Sequence, residues 1–184
     1  MDEISLHTKN LPTDIWLGIF LFISLCFGIL FVLNKRNLLI VQWMSIVLLS
    51  SYYFVVLCST VIYRSRIESV DFNFTPFWSY SAIINNEPSI TKLEVILNII
   101  LFVPIGLLLG IFRNTDNERK LKKSNLYYFM IFFIGIVLSL SIEISQFVFH
   151  KGFSETDDVI HNTLGCVIGY FLIDRLILFS ESIR

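Results

Sequence analysis

Ionisable and amide side chains recur at helical spacing inside otherwise apolar stretches of the C-terminal half of the sequence. Glu143 lies within residues 126–149, a run that contains no other Asp, Glu, Lys or Arg. An ionisable group deep in such a run costs several kcal/mol unless it is paired, protonated or hydrated. Two interpretations follow. Glu143 either holds a helix bundle together through hydrogen bonds, or accepts a proton or contacts a ligand in a cavity open to the outside.

Three further acid–base groups follow Glu143 along the chain. His150 continues the same helical face, and Asp157 and Asp158 stand at the start of the next apolar run. Carboxylates at a helix start cap free N–H groups and suit the helix dipole, which is the structural alternative. A Glu/His/Asp/Asp group at one membrane face also suits acid–base catalysis. We therefore predict Glu143, His150, Asp157 and Asp158 as catalytic candidates. Their spacing is too loose for a metal motif, so no metal site is predicted.

Small and polar residues step by three or four along the last three apolar runs, which gives each run one polar face. Small residues let helix backbones approach, and polar side chains bond across them, so these faces are expected to turn toward each other. Asn98, Gln146 and Asn162, one from each run, are predicted to bind within the shared interior. The three faces comprise Glu94, Asn98, Phe102, Gly106 and Gly110; Gly135, Ser139, Glu143, Gln146 and His150; and Asp158, Asn162, Gly165 and Gly169.

The elements that must position these residues are membrane-spanning helices. The 184-residue chain is 55% hydrophobic and only 16% charged, with a mean hydropathy of +0.72, which is more apolar than a soluble domain. Crossing the hydrocarbon core takes roughly 20 apolar residues in helical form. The sequence predicts an all-α integral membrane bundle of about five transmembrane helices. The predicted spans are residues 15–33, 38–63, 95–112, 126–149 and 159–179.

Basic residues favour one orientation of this bundle, because cytoplasmic loops carry an excess of Lys and Arg. With residues 35–36 inside the cell, nine of the fourteen basic residues lie on the cytoplasmic side. We predict a multi-pass protein of the cell membrane with its N-terminus outside and its C-terminus in the cytoplasm. Residues 64–92 and the turn at 150–158 then lie outside.

The long connection after the second span is rich in aromatic residues. Five of them lie between residues 72 and 80, around Thr75 and Pro76. Aromatic side chains favour the headgroup level, so residues 72–84 are expected to lie on or dip into the outer interface, as an anchor or as a ligand contact. Membrane lipids are the expected partners. No Gly-rich phosphate loop or basic nucleic-acid patch occurs in the sequence, so neither a cofactor nor a nucleic-acid partner is predicted.

Four sequence blocks in this order resemble the VanZ-like family of bacterial membrane proteins. The blocks are DFNFTPF at 71–77, NIILFVPIG at 98–106, SIEISQ at 141–146 and TDDVIHNTLG at 156–165, followed by Gly169. The resemblance covers residues 64–172. It places recurring family positions on Arg64, Asn73 and Phe77, and so adds these three to the predicted binding residues.

The resemblance also implies a function and a division of the chain. The family's namesake is associated with resistance to teicoplanin, a lipid-bearing glycopeptide antibiotic that acts at the outer face of the Gram-positive membrane. A cell-envelope role is therefore implied, with a lipoglycopeptide or a lipid-linked wall precursor as partner. Residues 1–63 would form an N-terminal two-helix region whose first helix is additional to the family pattern, and residues 64–179 the VanZ-like core.

Two other classes of function stay open. A membrane enzyme acting on a lipid-linked substrate would use Glu143 as general base, although no nucleophile with a paired base is evident in the sequence. A transporter or channel is the other class. Five helices without an internal repeat argue against a complete monomeric transporter, whereas an oligomeric pore stays open. Whether the chain is an enzyme is left undecided by the residues.

Overall fold

The computed structural model describes residues 18, 21, 23–25, 27–28, 38–66, 72–85, 92–114 and 124–182. Two two-residue strands, β1 (Phe72–Asn73) and β2 (Ser154–Glu155), pair in parallel. The helices are α1 (Leu38–Leu57), which continues into a π-helical turn at Cys58–Ile62, α2 (Trp78–Ile84), α3 (Lys92–Asn114), α4 (Ser124–Phe149) and α5 (Thr156–Ser182).

Four of the described helices are long and apolar enough to cross a membrane. They comprise Leu39–Ile62, Lys92–Arg113, Leu126–Phe149 and Thr156–Phe179. The predicted all-α membrane bundle is confirmed, with four of its predicted spans. The first predicted span, residues 15–33, lies largely outside the described residues.

Helices α3 and α5 approach each other closely through glycines. A Cβ atom at Gly106 would lie 1.9 Å from the carbonyl oxygen of Cys166. Gly165 and Gly169 face backbone carbonyl oxygens of α3 in the same way, each at 2.0 Å. Any side chain at these positions would push the two backbones apart, which is the close packing expected from the small-residue spacing.

Helix α1 is fastened to α3 and α4 by tyrosines. The Tyr52 hydroxyl donates to the carbonyl oxygen of Leu101 at 2.8 Å. The neighbouring Tyr53 hydroxyl donates to the carbonyl oxygen of Leu138 at 3.1 Å and contacts the Ser141 hydroxyl. Because the hydrocarbon core offers no water, such bonds satisfy the tyrosine hydroxyls inside the bundle.

An ion pair joins the helices at the end of the bundle away from the strands. Arg113 of α3 lies 3.5 Å from Asp174 of α5, and both side chains are about nine-tenths buried. The Arg113 guanidinium stacks over the Tyr127 ring of α4 at 3.8 Å, and the Tyr128 hydroxyl donates to Asp174 at 3.4 Å. This ion pair therefore forms a polar cluster at the end of the bundle opposite the strands.

Candidate functional site

The candidate site lies where α4 turns into α5, and the strand pair builds its frame. Asn73 of β1 lies opposite Glu155 of β2. Thr156 donates a hydrogen bond to the carbonyl oxygen of Asn73 at 3.1 Å, and the Asn73 side chain accepts the N–H of Thr75 at 3.0 Å. Asn73 thus shapes the aromatic segment and ties it to the start of α5. We call Asn98, Glu143, Glu155, Asp157 and Asp158 the polar layer.

Asp157 holds the aromatic segment in place. Its carboxylate accepts the N–H of Phe77, the N–H of Ser79 at 2.9 Å and the hydroxyl of Ser79. The Phe77 backbone is left-handed (φ 63°), and Asp157 is 1% exposed. These bonds satisfy free donors at the start of α2, as a helix cap does. Asp157 is therefore an anchor for α2 in this structure.

Glu143 and Glu155 are connected through the backbone. Glu143 is 1% exposed, and its carboxyl accepts the N–H of Glu155 at 3.0 Å. The Glu155 carboxyl in turn accepts the indole N–H of Trp78 at 3.2 Å. A chain of contacts thus runs from the interior of α4 to the aromatic segment.

Asp158 faces α3, and the Arg64 side chain is directed toward the carboxyl groups of the polar layer. The Asn98 amide donates to Asp158 at 2.6 Å. The Arg64 guanidinium interacts electrostatically with Glu143, Glu155 and Asp158. It rests against Gly152, where a Cβ atom would lie 2.8 Å from a guanidinium nitrogen. The charge of the exposed Arg64 side chain therefore acts on all three of these carboxyl groups.

Glu155 lies between two spans, and its surroundings favour the protonated form. Burial, followed by the negative charge of Asp158, raises the pKa of Glu155 to about 7. The Trp78 hydrogen bond and the Arg64 charge act in the opposite direction. Glu155 can therefore gain or lose a proton near neutral pH.

Amide side chains extend the polar contacts deeper between the helices. The Asn162 amide of α5 donates to the Ser139 hydroxyl of α4 at 2.9 Å. The Gln146 amide donates to the carbonyl oxygen of Thr60 in the π-helical turn at 3.1 Å. Gln146 is 3% and Asn162 4% exposed, so both lie inside the bundle.

His150 occupies a different place. It ends α4 with a left-handed backbone (φ 56°) and lines a cavity of about 350 Å³ together with Arg66, Val148 and Phe149. None of these lining residues belongs to the polar layer. Of the four catalytic candidates, the structure therefore places Glu143, Asp157 and Asp158 in one layer and His150 at a separate cavity.

Glu155, Trp78 and His161 were not among the site residues predicted from the sequence. Glu155 belongs to a run of three acids within four residues, which was the available signal. His161 lies 3.0 Å from the Tyr80 hydroxyl and joins α5 to α2. Within the described ranges, no three His, Cys, Asp or Glu side chains converge closely enough to hold a metal ion.

The spans and the polar layer at one end of them define a polytopic helical membrane protein. The family model VanZ/LLP1 matches residues 37–179, and the chain belongs to this family. It is 37% identical over 98 residues to Protein VanZ of Enterococcus faecium, a match covering 47% of this chain and 55% of that protein. The chain thus spans about half the length of this curated relative. No solved structure matches the chain.

Proposed function

We propose that this protein acts in the cell envelope and lowers susceptibility to lipid-bearing glycopeptide antibiotics such as teicoplanin. Family membership supports the class of function. The observation that carries the proposal is the polar layer itself, in which the buried Glu143 carboxyl bonds the N–H of Glu155 and Asp157 holds the aromatic segment. Such a site offers both carboxylate acceptors and apolar surface to an amphiphile.

The proposed orientation places the polar layer on the outer side of the membrane. It follows from the basic residues, most of which flank the opposite ends of the helices. The N-terminus is then outside and the C-terminus cytoplasmic. A lipid-bearing antibiotic or a lipid-linked wall precursor would meet the polar layer at the outer leaflet.

The aromatic segment supplies the apolar part of the proposed site. Phe74 is 73% and Phe77 59% exposed, although the Phe77 N–H is bonded to the buried Asp157. Exposed aromatic rings at a membrane boundary contact acyl chains and headgroups. We infer that the lipid chain of the ligand lies against these rings while its polar part reaches the acids, which keeps the antibiotic from its target.

Antibiotic susceptibility tests this proposal. Cells lacking the protein are complemented with the natural chain or with Glu143→Gln, and minimal inhibitory concentrations are measured for teicoplanin and for a glycopeptide without a lipid chain. We expect the natural chain to raise the minimal inhibitory concentration of teicoplanin and not that of the glycopeptide without a lipid chain. Glu143→Gln should lose most of that increase although it is present in the membrane in equal amount. Equal susceptibility with and without the natural chain would reject the proposal.

A membrane enzyme acting on a lipid-linked envelope substrate is the second candidate. The observation that favours it is the buried Glu143 carboxyl, whose charge and that of the partly buried Asp158 act on each other. Two interacting acids can serve as general base and general acid. Glu143 would be the base. Mass spectrometry of lipids and wall precursors tests this candidate, because an enzyme must leave a changed molecule in cells that contain it.

A further inference from the structure

Gln146 presents a buried acceptor that no protein donor reaches. Its amide nitrogen donates to the carbonyl oxygen of Thr60, and a carbonyl accepts only, so the orientation of the amide group is determined. The other atom of the group, Oε1, is buried without a hydrogen-bond partner. A buried polar atom left without a partner costs about 1–3 kcal/mol. Gln146 therefore points to a ligand that donates.

Asn162 repeats this arrangement from the opposite helix. Its amide group bonds the Ser139 hydroxyl through one atom and leaves the other atom buried without a partner. Ser139 lies four residues before Glu143 on α4, and Gln146 lies three residues after it, so all three share one helical face. The unpartnered Gln146 oxygen is therefore on the same face of α4 as the Glu143 carboxyl, about one turn further along the helix. The two groups form a column of acceptors on α4.

The charges around this column are unequal. Glu143, Glu155 and Asp158 interact with one another and with the Arg64 guanidinium. These three acids thus share one arginine as a cationic neighbour in the described part of the chain. A ligand that supplies a further positive charge and several N–H donors would complement both the acids and the Gln146 oxygen.

We propose that the polar layer, with Gln146 and Asn162, binds the primary ammonium group of a membrane-borne amphiphile such as an ethanolamine phospholipid. This inference deepens the proposed function and rests on the same site. A primary ammonium has three N–H donors, whereas a quaternary ammonium has none. The exposed rings of Phe74 and Phe77 lie at the same end of the bundle and suit an acyl-bearing ligand.

The comparison that tests the proposal uses two phospholipid headgroups, one with a primary ammonium and one with an N-methylated quaternary ammonium that has no N–H donor. Trp78 is the reporter, because its indole contacts Glu155. Trp16 and Trp43 are replaced by Phe, which leaves Trp78 as the only tryptophan of the three in the chain. Short-chain phosphatidylethanolamine and short-chain phosphatidylcholine are titrated into the detergent-solubilised full-length protein, and tryptophan emission is recorded.

We expect a saturable emission change with the ethanolamine lipid at a concentration about tenfold lower than with the choline lipid, because a lost charged hydrogen bond weakens binding by roughly that factor. Equal response to both lipids would overturn the proposal. Free ethanolamine is the third probe. A response to ethanolamine as strong as that to the lipid would overturn the membrane-borne source.

Variants locate the effect. Gln146→Met and Glu143→Gln are expected to remove the preference for the ethanolamine lipid. Gln42→Met is the matched control, because Gln42 is the other glutamine of the chain and lies on α1, and it should keep the preference. An unchanged preference in Gln146→Met and Glu143→Gln would move the site elsewhere. Where a variant fails to fold, the proposal is decided by whether the protein with natural Gln146 and Glu143 prefers the ethanolamine lipid to the choline lipid.

The teicoplanin measurement separates this inference from the proposed function. Lipid discrimination without any effect on teicoplanin susceptibility would support the ammonium site and reject the antibiotic role. A selective effect on teicoplanin susceptibility without a preference between the two lipids would support the antibiotic role and reject the ammonium site.

Discussion

At the scale of residues, neighbouring acids have different tasks. Asp157 bonds the start of α2, whereas Asp158 bonds Asn98 on α3. Consecutive residues on a helix point about 100° apart, so two adjacent acids reach two different elements. Glu143 differs from both because it lies on α4 and accepts a backbone N–H from β2. The acid types were visible in the sequence, but their separate tasks were not.

Two substitutions at Glu143 distinguish a functional acid from a structural one. Gln retains an oxygen that can accept the Glu155 N–H, whereas Leu leaves that N–H unpaired at a cost of about 1–3 kcal/mol. We expect Glu143→Gln to reach the membrane in normal amount and lose function, and Glu143→Leu to lose abundance as well. Immunoblots of membrane fractions and teicoplanin susceptibility check this. Full activity in both variants would remove Glu143 from the site.

The raised pKa of Glu155 predicts that the stability of the folded protein depends on pH. Its pKa is raised from 4.5 to about 7, mainly by burial and then by Asp158, with Asp157 adding to the rise and Arg64 and Trp78 opposing it. The folded protein therefore binds the proton more tightly than the unfolded chain. This contribution to stability is complete below about pH 4.5 and is lost as the pH rises through about 7.

We expect Glu155→Gln to be less sensitive than the natural chain to a rise from pH 5 to pH 8. Thermal unfolding in detergent at both values measures the difference between the two proteins. If the thermal unfolding midpoint falls by the same amount in the natural chain and in Glu155→Gln, Glu155 is not the titrating group.

At the scale of elements, the glycine face of α5 determines how close the helices come. Gly165 and Gly169 each leave a Cβ only 2.0 Å from an α3 carbonyl oxygen. This packing also sets the distance at which Asn98 meets Asp158. The spacing of small residues is a local pattern, so it was readable from the sequence.

Alanine at Gly165 should destabilise the bundle. The added methyl group would meet the backbone of Ile99, which cannot rotate away as a side chain can. We expect a loss of about 1–3 kcal/mol, the usual range for overpacking, measured as a lower unfolding midpoint. Gly18→Ala is the matched control, because a Cβ there has nothing within 4 Å. Equal midpoints for the two variants would contradict the close approach.

At the scale of the whole molecule, the proposed site depends on which end of the bundle faces outward. The polar layer and the Arg113–Asp174 ion pair lie at opposite ends, so orientation decides which of them meets an extracellular ligand. The positive-inside rule assigns the polar layer to the outside.

Thiol labelling of intact cells tests this orientation. Cys26, Cys58 and Cys166 are replaced by Ala, and a single cysteine is introduced at Ser65, after the π-helical turn, or at Asn117, between α3 and α4. We expect a membrane-impermeant maleimide to label the cysteine at Ser65 and to label that at Asn117 only after lysis. The reverse pattern would place the polar layer in the cytoplasm.

The sequence by itself determined the membrane class, the four described spans, the family and the small-residue face, because each of these depends on apolar length or on spacing within one helix. The tertiary structure decided how the acids are used. Asp157 meets residues about 80 positions earlier in the chain, and two-residue strands have no periodicity that a sequence could reveal. Glu155 acquires its role only when the aromatic segment covers it, since burial requires elements that are distant in sequence to pack together.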